Sequence, residues 1–370
     1  MKPLNIVLFG VGNVGSTLIK QILADKQHFH EAGLDLNIPV IVNSRLAFFE
    51  KQGIHSSWES DFASFGFPYE LEDILNYVKQ KHYENLVAVD ATASSSFVDN
   101  YERLVEAGFH IVAANKVANS LPIEFYEGFR KILKKHKKQF LYETNVGAGL
   151  PIIQTLQGLY QAGEKITKVR GVFSGSLSYI FNTFSEEDKT FAKVLEDAQV
   201  KGFTEPDPRV DLSGKDVGRK LLILARELNL KKELADVKIE DLVPARLNGE
   251  TSLAYFKKNQ DSLNPDFQAL KNDLESDEVL RHVGELDLVK SELQVKLVKE
   301  KKASPLGNLK NADASFEIFT ESYGEQPIVI QGAGAGAAVT ARGVLADLIK
   351  LAQNIQNENS TKKTEQRLPL

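Results

Sequence analysis

The fold of this chain is decided near its amino end by the stretch Leu4-Asn-Ile-Val-Leu-Phe-Gly-Val-Gly-Asn-Val-Gly15. The apolar run from Leu4 to Phe9 predicts a buried strand, and the amphipathic pattern after it predicts a helix through about Ala24. A G-x-G-x-x-G turn between a strand and a helix is typical of proteins that bind dinucleotides. The sequence therefore predicts that the phosphates of a cofactor bind at this turn.

Each glycine of the turn has its own physical task. Gly10 makes the tight turn, Gly12 lets the backbone approach a pyrophosphate, and Gly15 lets the helix pack closely on the strand. The amino end of the helix faces the phosphates, because its first N–H groups have no partner within the helix. The predicted cofactor contacts at this turn are Gly10, Val11, Gly12, Asn13, Val14 and Gly15.

Strands and helices continue to alternate after this turn. Apolar runs predict strands at residues 38–42, 86–91, 110–114 and 140–143, with helical patterns between them. Such alternation predicts an α/β domain with a doubly wound parallel sheet over residues 1–150. Ligands of these sheets bind beyond the carboxyl ends of the strands, so the residues that follow each strand are the candidate contacts.

Asn43, Ser44 and Arg45 follow the second predicted strand. A site that prefers NAD usually has a carboxylate here, which accepts a hydrogen bond from the ribose 2′-hydroxyl. This chain has a guanidinium and two small polar groups instead, an arrangement that suits a 2′-phosphate and predicts a preference for NADP. The alternative is that Arg45 is an ordinary loop cation.

The loops after the next two strands carry further candidates. Thr92 and Ala93 are expected to line the cofactor, and Lys116 follows the next strand at the same ligand edge. An amine at this place can meet an oxygen or a carboxylate of a substrate. The alternative is that Lys116 is an ordinary surface lysine.

A change of pattern predicts a second, α+β domain over residues 151–332. Apolar residues alternate between 286 and 300, which is the period of antiparallel strands with one wet face. A second glycine-rich turn, Gly332-Ala-Gly-Ala-Gly336, then leads into a predicted helix of small residues from Ala338 to Gln353. Gly336 is compatible with phosphate or nicotinamide contact, or with close packing of small residues. The polar residues 356–370 predict a disordered tail.

The second domain contains the charged stretch Phe203-Thr-Glu-Pro-Asp-Pro-Arg-Val-Asp-Leu-Ser-Gly-Lys-Asp-Val-Gly-Arg-Lys220. Its two prolines predict a non-helical first half, and Ser213 is the expected cap of a helix in the second half. Asp216 and Lys220 are four residues apart on that helix, so their side chains meet. The arrangement predicts a polar pocket, and the alternatives are a capping box and an exposed ion pair.

Composition narrows the classes of function. The 370 residues carry a net charge of −5, which argues against a nucleic-acid partner. No apolar segment is long enough to cross a membrane, and a strand begins too close to Met1 for a signal peptide. The sequence has no cysteine, which excludes a cysteine nucleophile and thiolate metal sites. The histidines show no metal-binding pattern, and the expected compartment is the cytoplasm.

The chain resembles the homoserine dehydrogenases, and the resemblance runs through nearly the whole sequence. It rests on the glycine turn at residues 10–15 and on the charged stretch that ends at Lys220. It also rests on the segments Val89-Asp-Ala-Thr-Ala-Ser94, Ala114-Asn-Lys116, Tyr142-Glu-Thr-Asn-Val-Gly-Ala-Gly-Leu-Pro151, Gly171-Val-Phe-Ser-Gly-Ser-Leu-Ser-Tyr-Ile-Phe-Asn182 and Gln331-Gly-Ala-Gly-Ala-Gly-Ala-Ala-Val-Thr340.

This resemblance implies reversible, NAD(P)-dependent reduction of L-aspartate 4-semialdehyde to L-homoserine, on the route to threonine and methionine. It implies that the C-terminal helix, residues 333–355, completes the dinucleotide-binding domain. It also implies that residues 151–332 bind the substrate and form a homodimer.

The resemblance assigns roles to particular side chains. By position, Lys220 matches the proton donor, and Asp216 can orient it. Asp216 and Glu205 match carboxylates that hold the substrate, and Lys116 matches a lysine where substrate meets nicotinamide. The remaining expected substrate contacts are Asp211 and Gly175.

A monovalent cation, Na⁺ or K⁺, is also implied by the resemblance. Its ligands would fall on Glu143, Val146, Ala148 and Leu150, largely through backbone carbonyls. Hard oxygen ligands on a loop bent by glycine suit such an ion.

Three features depart from the family pattern. Phe203 stands where tyrosine is common, which removes a hydrogen bond, and Val210 replaces a common acidic residue. The sequence also lacks the C-terminal regulatory domain of many members and the kinase half of the bifunctional ones. Feedback inhibition by threonine through such a domain is therefore not expected.

Two other activities compete with this reading. Aspartate-semialdehyde dehydrogenase shares the cofactor and the aldehyde, but it needs a cysteine thiolate that this chain does not have. A catalytically silent NAD(P)-binding sensor or scaffold would have the same fold. The presence of Lys220, Asp216 and Glu205 argues against it.

Overall fold

The computed structural model describes residues 2–248 and 251–365. The chain divides into two compact units. The first unit consists of Met1–Asn145 together with Gly336–Leu370, and the second is Val146–Ala335.

A mixed sheet forms the centre of the first unit. Its strands, within the described residues, are β1 (Leu4–Phe9), β2 (Leu36–Val42), β3 (Leu46–Phe49), β4 (Phe67–Pro68), β5 (Leu86–Asp90), β6 (His110–Ala113) and β7 (Phe140–Leu141). Their order is β4-β3-β2-β1-β5-β6-β7, and all pairs from β2 to β7 are parallel. The two edge strands β3 and β4 are antiparallel. The strand order reverses at β1, so the loops after β1 and β5 flank the switch point at which such sheets bind ligands.

Helices connect these strands. In chain order they are α1 (Asn13–Ala24), α2 (Lys26–Glu31), α3 (Trp58–Phe65), α4 (Leu71–Gln80), α5 (Tyr101–Glu106), α6 (Val117–Ser120) and α7 (Ile123–His136). The prediction of an α/β fold with a parallel, doubly wound sheet is therefore confirmed. The antiparallel strands β3 and β4 were not predicted, because a two-residue edge strand that ends in proline leaves no periodic pattern.

The second unit contains a largely antiparallel sheet. Its strands, in the described part of the chain, are β8 (Ile166–Val172), β9 (Val237–Ile239), β10 (Glu278–Asp287), β11 (Glu292–Lys301), β12 (Asp313–Thr320) and β13 (Ile328–Ala333). Their order is β13-β12-β8-β10-β11-β9, and only β9 pairs in parallel, with β11. The predicted alternation between residues 286 and 300 corresponds to the end of β10 and most of β11, where Leu286 and Leu293 are partners.

The first helix of the second unit precedes these strands along the chain, and the others lie between them. The helices are α8 (Ile152–Gln161), α9 (Gly175–Glu186), α10 (Phe191–Val200), α11 (Arg209–Leu212), α12 (Lys215–Glu227), α13 (Leu253–Asn259) and α14 (Asn264–Asn272). Helices α9 and α12 pack against β10, and they carry Gly175, Asp216 and Lys220 of the predicted site. The sheet thus supports the candidate site of this unit.

The last helix, α15 (Ala337–Glu365), returns to the first unit and packs on α1. It corrects the prediction of a disordered tail, because residues 356–365 continue the helix. No glycine or proline follows Gly343 until Pro369, and the polar residues between them include several good helix formers. The remainder of the predicted tail, residues 366–370, lies outside the described residues.

Apolar side chains cover both faces of the first sheet. One layer joins α1 and α15 to the sheet through Leu18, Ile22 and Leu348. The opposite layer contains Leu104 of α5 and Phe129 of α7. Burial on both faces explains why β1 and β5 read as continuous apolar runs rather than as alternating ones. Among the described residues, no helix has the length and apolarity to span a membrane.

Candidate functional site

The glycine turn after β1 has the geometry that dinucleotide binding requires. Gly10 has a φ of +97°, and a Cβ on this residue would lie 2.8 Å from the carbonyl oxygen of Ala91. A Cβ on Gly15 would lie 1.9 Å from the carbonyl oxygen of Gly10, so only glycine permits the close packing of α1 on the turn. A Cβ on Gly12, in contrast, would meet nothing within 4 Å. The open space at Gly12 is where a pyrophosphate could approach the backbone.

Gly12 also precedes the first residue of α1 in an extended conformation. Glycine has no side chain that could cap the helix, so the first-turn N–H groups of Asn13, Val14 and Gly15 provide donors for an anion. Val11 and Val14 are half-buried on either side of the exposed Gly12 and Asn13. The turn therefore offers backbone donors rather than charged side chains to a phosphate.

The loop after β2 displays Arg45. The side-chain oxygen of Asn43 accepts hydrogen bonds from the backbone N–H groups of Arg45 at 2.8 Å and of Leu46 at 2.7 Å. These bonds close a tight turn, on which Ser44 and Arg45 are exposed at the carboxyl end of the strand. Asn43 thus shapes the loop, while the guanidinium of Arg45 remains accessible to a ligand.

Asp90, at the end of β5, organises the loops after β5 and β6 and was missed by the sequence analysis. Its carboxylate is 1% exposed and accepts from the N–H of Thr92 at 2.9 Å, the hydroxyl of Tyr101 at 2.8 Å and the amide of Asn115 at 3.0 Å. Burial raises the pKa of Asp90, and these hydrogen bonds oppose the rise. A carboxylate that ends an otherwise apolar buried strand was the available signal, because such a group is rarely buried without partners.

Four further predicted contacts have defined places in the first unit. Thr92 is half-buried and Ala93 is exposed in the loop held by Asp90. Lys116 is half-buried and immediately precedes α6. Gly336, with a φ of +112° and nothing within 4 Å of a built Cβ, immediately precedes α15.

In the second unit, α12 brings Asp216 and Lys220 together. The amine of Lys220 lies 2.9 Å from a carboxylate oxygen of Asp216, and it donates to the carbonyl oxygen of Phe173 at 2.9 Å. The lysine side chain is 14% exposed, whereas that of Asp216 is 42% exposed. The pair is therefore not an ordinary surface ion pair, because the amine is largely enclosed and has a second acceptor from the end of β8.

The start of α12 differs from the prediction. Gly214, not Ser213, is the residue before the helix, and it has a φ of +66°. Ser213 instead ends the short helix α11, and its hydroxyl donates to the carbonyl oxygen of Val210. Ser213 is therefore not the residue directly before α12, although its hydroxyl accepts from the N–H of Lys215 at 3.4 Å. Two helices meet at this point, and only glycine adopts the connecting conformation at no steric cost. Pro208 also opens α11, so the stretch before Ser213 is not wholly non-helical.

Asp211 joins the acidic loop to the start of α9. One of its carboxylate oxygens accepts from the hydroxyl of Ser176 at 2.7 Å, and the other accepts from the N–H of Glu205 at 2.9 Å. Burial, assisted by the charge of Asp216, raises the pKa of Asp211. Glu205 itself is exposed, so its carboxylate is accessible to a cationic group of a ligand.

Gly175 is the first residue of α9 and precedes Ser176, whose hydroxyl donates to Asp211. A Cβ on Gly175 would lie 3.1 Å from the Cβ of Ala335 and 3.2 Å from the carbonyl oxygen of Ala312. Ser174 caps the helix by accepting from the N–H of Leu177. The structure thus brings Asp211 of α11 together with the amino end of α9. Asp216 and Lys220 lie on the next helix, α12.

Arg209 anchors the acidic loop. Its guanidinium makes a two-pronged contact with Asp207, at 3.0 and 2.6 Å, and donates to the carbonyl oxygen of Thr251 at 2.9 Å. Phe203 stacks on Tyr179 with the ring centroids 4.4 Å apart, so its ring packs although it has no hydroxyl. Val210, the other departure from the family pattern, is 56% exposed.

The predicted cation ligands lie on consecutive turns after β7. Glu143 is 9% exposed in a short turn, and its N–H donates to Asp347 of α15 at 2.9 Å. Burial raises the pKa of Asp347 to about 7. Val146 is buried, Ala148 has a φ of +55°, and the carbonyl oxygen of Leu150 accepts from the N–H of Ile152. The described residues contain no group of three His, Cys, Asp or Glu that could hold a metal, so a cation here depends on carbonyl oxygens and stays a prediction.

The fold and the turn after β1 define a dinucleotide-binding protein of the doubly wound class. The sequence model described as the homoserine dehydrogenase NAD-binding domain matches residues 10–143, and the model described as homoserine dehydrogenase matches residues 151–349. The chain belongs to the homoserine dehydrogenase family, whose members are NAD(P)-dependent oxidoreductases. The prediction of this family from the sequence is thereby confirmed.

Curated relatives are similar over nearly the whole chain. A bifunctional aspartokinase/homoserine dehydrogenase from the chloroplast of Arabidopsis thaliana is 40% identical over 352 residues, which cover 93% of this chain and 38% of that protein. One from Zea mays is 38% identical over 353 residues, covering 94% of this chain and 38% of the relative. The chain thus spans about two fifths of the length of these relatives.

Solved structures share the fold. The crystal structure of a protein of unknown function from Candida auris is 35% identical and has a TM-score of 0.87, over 95% of this chain and 99% of that chain. A hyperthermophilic archaeal homoserine dehydrogenase in complex with NADPH has a TM-score of 0.72 at 22% identity, over 96% of this chain and 98% of that chain. At this lower identity the similarity concerns the fold.

Proposed function

We propose that this chain catalyses the reversible, NAD(P)-dependent reduction of L-aspartate 4-semialdehyde to L-homoserine. Membership of the family supports the reaction class. The contacts of Lys220 carry the proposal, because its enclosed amine lies 2.9 Å from both the Asp216 carboxylate and the Phe173 carbonyl oxygen. A proton donor held in this way is what the reduction of an aldehyde requires.

The chemistry explains this requirement. A nicotinamide nucleotide held by the first unit would supply a hydride to the carbonyl carbon of the substrate, and negative charge would then develop on the carbonyl oxygen. Lys220 donates a proton to that oxygen, and Asp216 orients the amine through its contact one turn earlier on α12. In the direction of homoserine oxidation, Lys220 accepts the proton again.

The carboxylates of the second unit suit the rest of the substrate. Aspartate semialdehyde and homoserine both carry an ammonium group, and the exposed carboxylate of Glu205 is a suitable partner for it. Asp211 holds the backbone of Glu205 and contributes further negative charge. Gly175, at the start of α9, and Lys116 of the first unit are the remaining proposed substrate contacts.

The loop after β2 supports a preference for NADP. Arg45 and Ser44 are exposed on the turn that Asn43 closes, and no carboxylate follows the strand until Glu50. A 2′-phosphate is therefore the better partner for this loop than a 2′-hydroxyl. Thr92, Ala93 and Gly336 would complete the cofactor contacts.

Further properties of the family are proposed with this reaction. A monovalent cation, Na⁺ or K⁺, would bind the oxygens of Glu143, Val146, Ala148 and Leu150 and hold this loop in place. The protein would act as a homodimer in the cytoplasm. The absence of cysteine from the sequence is compatible with that compartment.

A single assay tests the proposal. Purified protein is mixed with aspartate semialdehyde and either NADPH or NADH, with and without Na⁺ or K⁺, and the absorbance of the reduced nicotinamide is followed. We expect a substrate-dependent loss of absorbance that is faster with NADPH. Binding of NADPH without turnover would instead identify a catalytically silent sensor or scaffold.

A further inference from the structure

Lys116 lies at the start of a helix that cannot hold its own position. Helix α6 has only four residues, Val117–Ser120, and a helix of one turn is not stable by itself. The proposed role of Lys116 nevertheless requires that its amine keep a fixed place at the carboxyl end of β6. The contacts that fix this turn must therefore come from outside it.

Asn115 fixes the residue before Lys116. Its amide donates to Asp90 at 3.0 Å and to the carbonyl oxygen of Ser94 at 2.9 Å. Its side-chain oxygen accepts from the N–H of Val117 at 3.0 Å, on the other side of Lys116. Asn115 is 5% exposed, so these bonds are sheltered from water.

Asn119 fixes the same turn from its other end. Its backbone N–H donates to the carbonyl oxygen of Lys116 at 3.2 Å, so the two residues belong to one hydrogen-bonded turn. Its side-chain amide donates to Asn145 at 2.9 Å, and its side-chain oxygen accepts from Arg130 at 2.7 Å. Asn119 and Asn145 are both 0% exposed.

These partners are themselves held in place. The amide of Asn145 donates to the carbonyl oxygen of Ala113 at 2.8 Å, which ties it to the end of β6. The guanidinium of Arg130 lies over the ring of Tyr126, 3.5 Å from its centroid, and donates to the hydroxyl of Tyr142 at 3.1 Å. The network therefore connects the loop after β7, helix α7 and the end of β6, and Asn119 is its contact with α6.

We propose that Asn119 is a positioning residue for Lys116, acting through the buried Asn119–Asn145–Arg130 network. This inference rests on the proposed function, because the network is assigned the task of fixing the Lys116 amine, which is proposed to contact the substrate. Burial of amide groups contributes little net stability compared with apolar groups of the same shape. It does fix orientation, since each amide here uses both its donor and its acceptor.

The first unit contains a matched pair that has no link to this site. Asn37 donates to the side-chain oxygen of Asn5 at 2.8 Å, and the amide of Asn5 donates to the carbonyl oxygen of Glu84 at 2.7 Å. Asn5 is 2% exposed and lies near the amino end of β1, opposite the glycine turn. Replacing Asn5 by alanine removes a comparable buried amide pair, at the end of β1 opposite the proposed contacts.

The test is a double-mutant cycle between positions 116 and 119. Asn119→Ala, Lys116→Ala, the double variant and Asn5→Ala are each assayed with aspartate semialdehyde and NADPH, and their melting temperatures are measured. We expect Asn119→Ala to lower kcat by about tenfold, the scale of a misplaced catalytic group, with little change in the KM of NADPH. The double variant should be no slower than Lys116→Ala, because the two substitutions remove one function.

Asn5→Ala should lower the melting temperature by a similar amount but leave kcat unchanged. Equal loss of kcat in Asn5→Ala, or additive losses in the cycle, would overturn the positioning role while leaving the proposed reaction intact. A wild-type protein without turnover would overturn both. If Asn119→Ala does not fold, Asn119→Asp is used in the same cycle, because it keeps an acceptor for Arg130 and removes the donor to Asn145.

Discussion

The candidate sites of the two units are made of different groups. In the first unit, the turn after β1 offers backbone N–H groups; its shape depends on Gly10 and Gly15, while Gly12 leaves open space beside the backbone. In the second unit, the site consists of charged side chains from the acidic loop and from α12, with a carbonyl oxygen from the end of β8. The comparison teaches that nucleotide binding is encoded locally, whereas the proposed proton chemistry depends on tertiary packing.

The largest expected effect comes from removing the amine of the second unit. Lys220→Ala should lower kcat by about 10²-fold or more, because it removes the proton donor. Lys215→Ala is the matched control, since Lys215 is an exposed amine at the start of the same helix and should turn over like the wild type. Steady-state rates of NADPH oxidation measure both, and near-normal turnover by Lys220→Ala would remove its assigned role.

Two glycine variants should separate nucleotide binding from stability in the first unit. Gly12→Ala puts a methyl group into open space, so the melting temperature should stay the same, while the Kd for NADPH should rise by about tenfold or more because the methyl blocks the pyrophosphate. Gly15→Ala forces a methyl group against the carbonyl oxygen of Gly10, so stability and NADPH binding should both fall. Wild-type affinity in Gly12→Ala would contradict the predicted phosphate position.

Both units also bury a histidine, and the two differ in their partners. Nδ1 of His110 accepts from the N–H of Gln139, whereas among the described residues His282 has no hydrogen-bond partner for either ring nitrogen. Burial lowers the pKa of each to about 4. Because these folded-state values lie below the ordinary value of about 6.5, the stability contributed by neutral histidine is complete above pH 6.5 and is lost as the pH falls toward 4.

The acid sensitivity of the second unit should therefore depend on His282. Between pH 7 and pH 5, protonation of His282 in the unfolded chain should lower the free energy of unfolding by about 2 kcal/mol. His282→Leu should remove that part of the loss. Urea denaturation at the two pH values measures the difference. If His282→Leu loses as much unfolding free energy between pH 7 and pH 5 as the wild type, the loss does not come from His282.

The smallest effect is expected at the loop after β2. Arg45→Ala should raise the KM of NADPH by about tenfold and leave the KM of NADH nearly unchanged, because one exposed contact to a 2′-phosphate is lost. Lys51→Ala removes an exposed cation six residues later and serves as the control. Equal changes in the KM of NADPH and the KM of NADH would show that Arg45 does not bind the 2′-phosphate.

Local patterns were sufficient to predict the strand and the helix on either side of the glycine turn. The strand from Leu4 to Phe9 and the helix through Ala24 have the predicted bounds, since a buried parallel strand and an amphipathic helix each leave a clear period. The contact between Asp216 and Lys220 was also predictable, because a spacing of four residues on a helix determines it.

The sequence could not reveal partners that are distant along the chain. The bond from Asn119 to Asn145 and that from Glu143 to Asp347 join residues 26 and 204 positions apart. The acceptor that Phe173 provides for Lys220 is a backbone carbonyl, which has no sequence signature. The residue before α12 was misjudged for a related reason, because only the packing of α11 beside α12 requires the left-handed conformation of Gly214.

The backbone of the glycine turn is proposed to bind the nucleotide, while the side chain of Lys220 is proposed to serve the reaction. This division is tested most directly by titrating Lys220→Ala with NADPH and following the nicotinamide fluorescence. If the glycine turn binds the nucleotide independently of the proton donor, the Kd should stay within about twofold of the wild-type value while turnover falls by about 10²-fold or more. A Kd that rises in proportion to the loss of turnover would contradict the account.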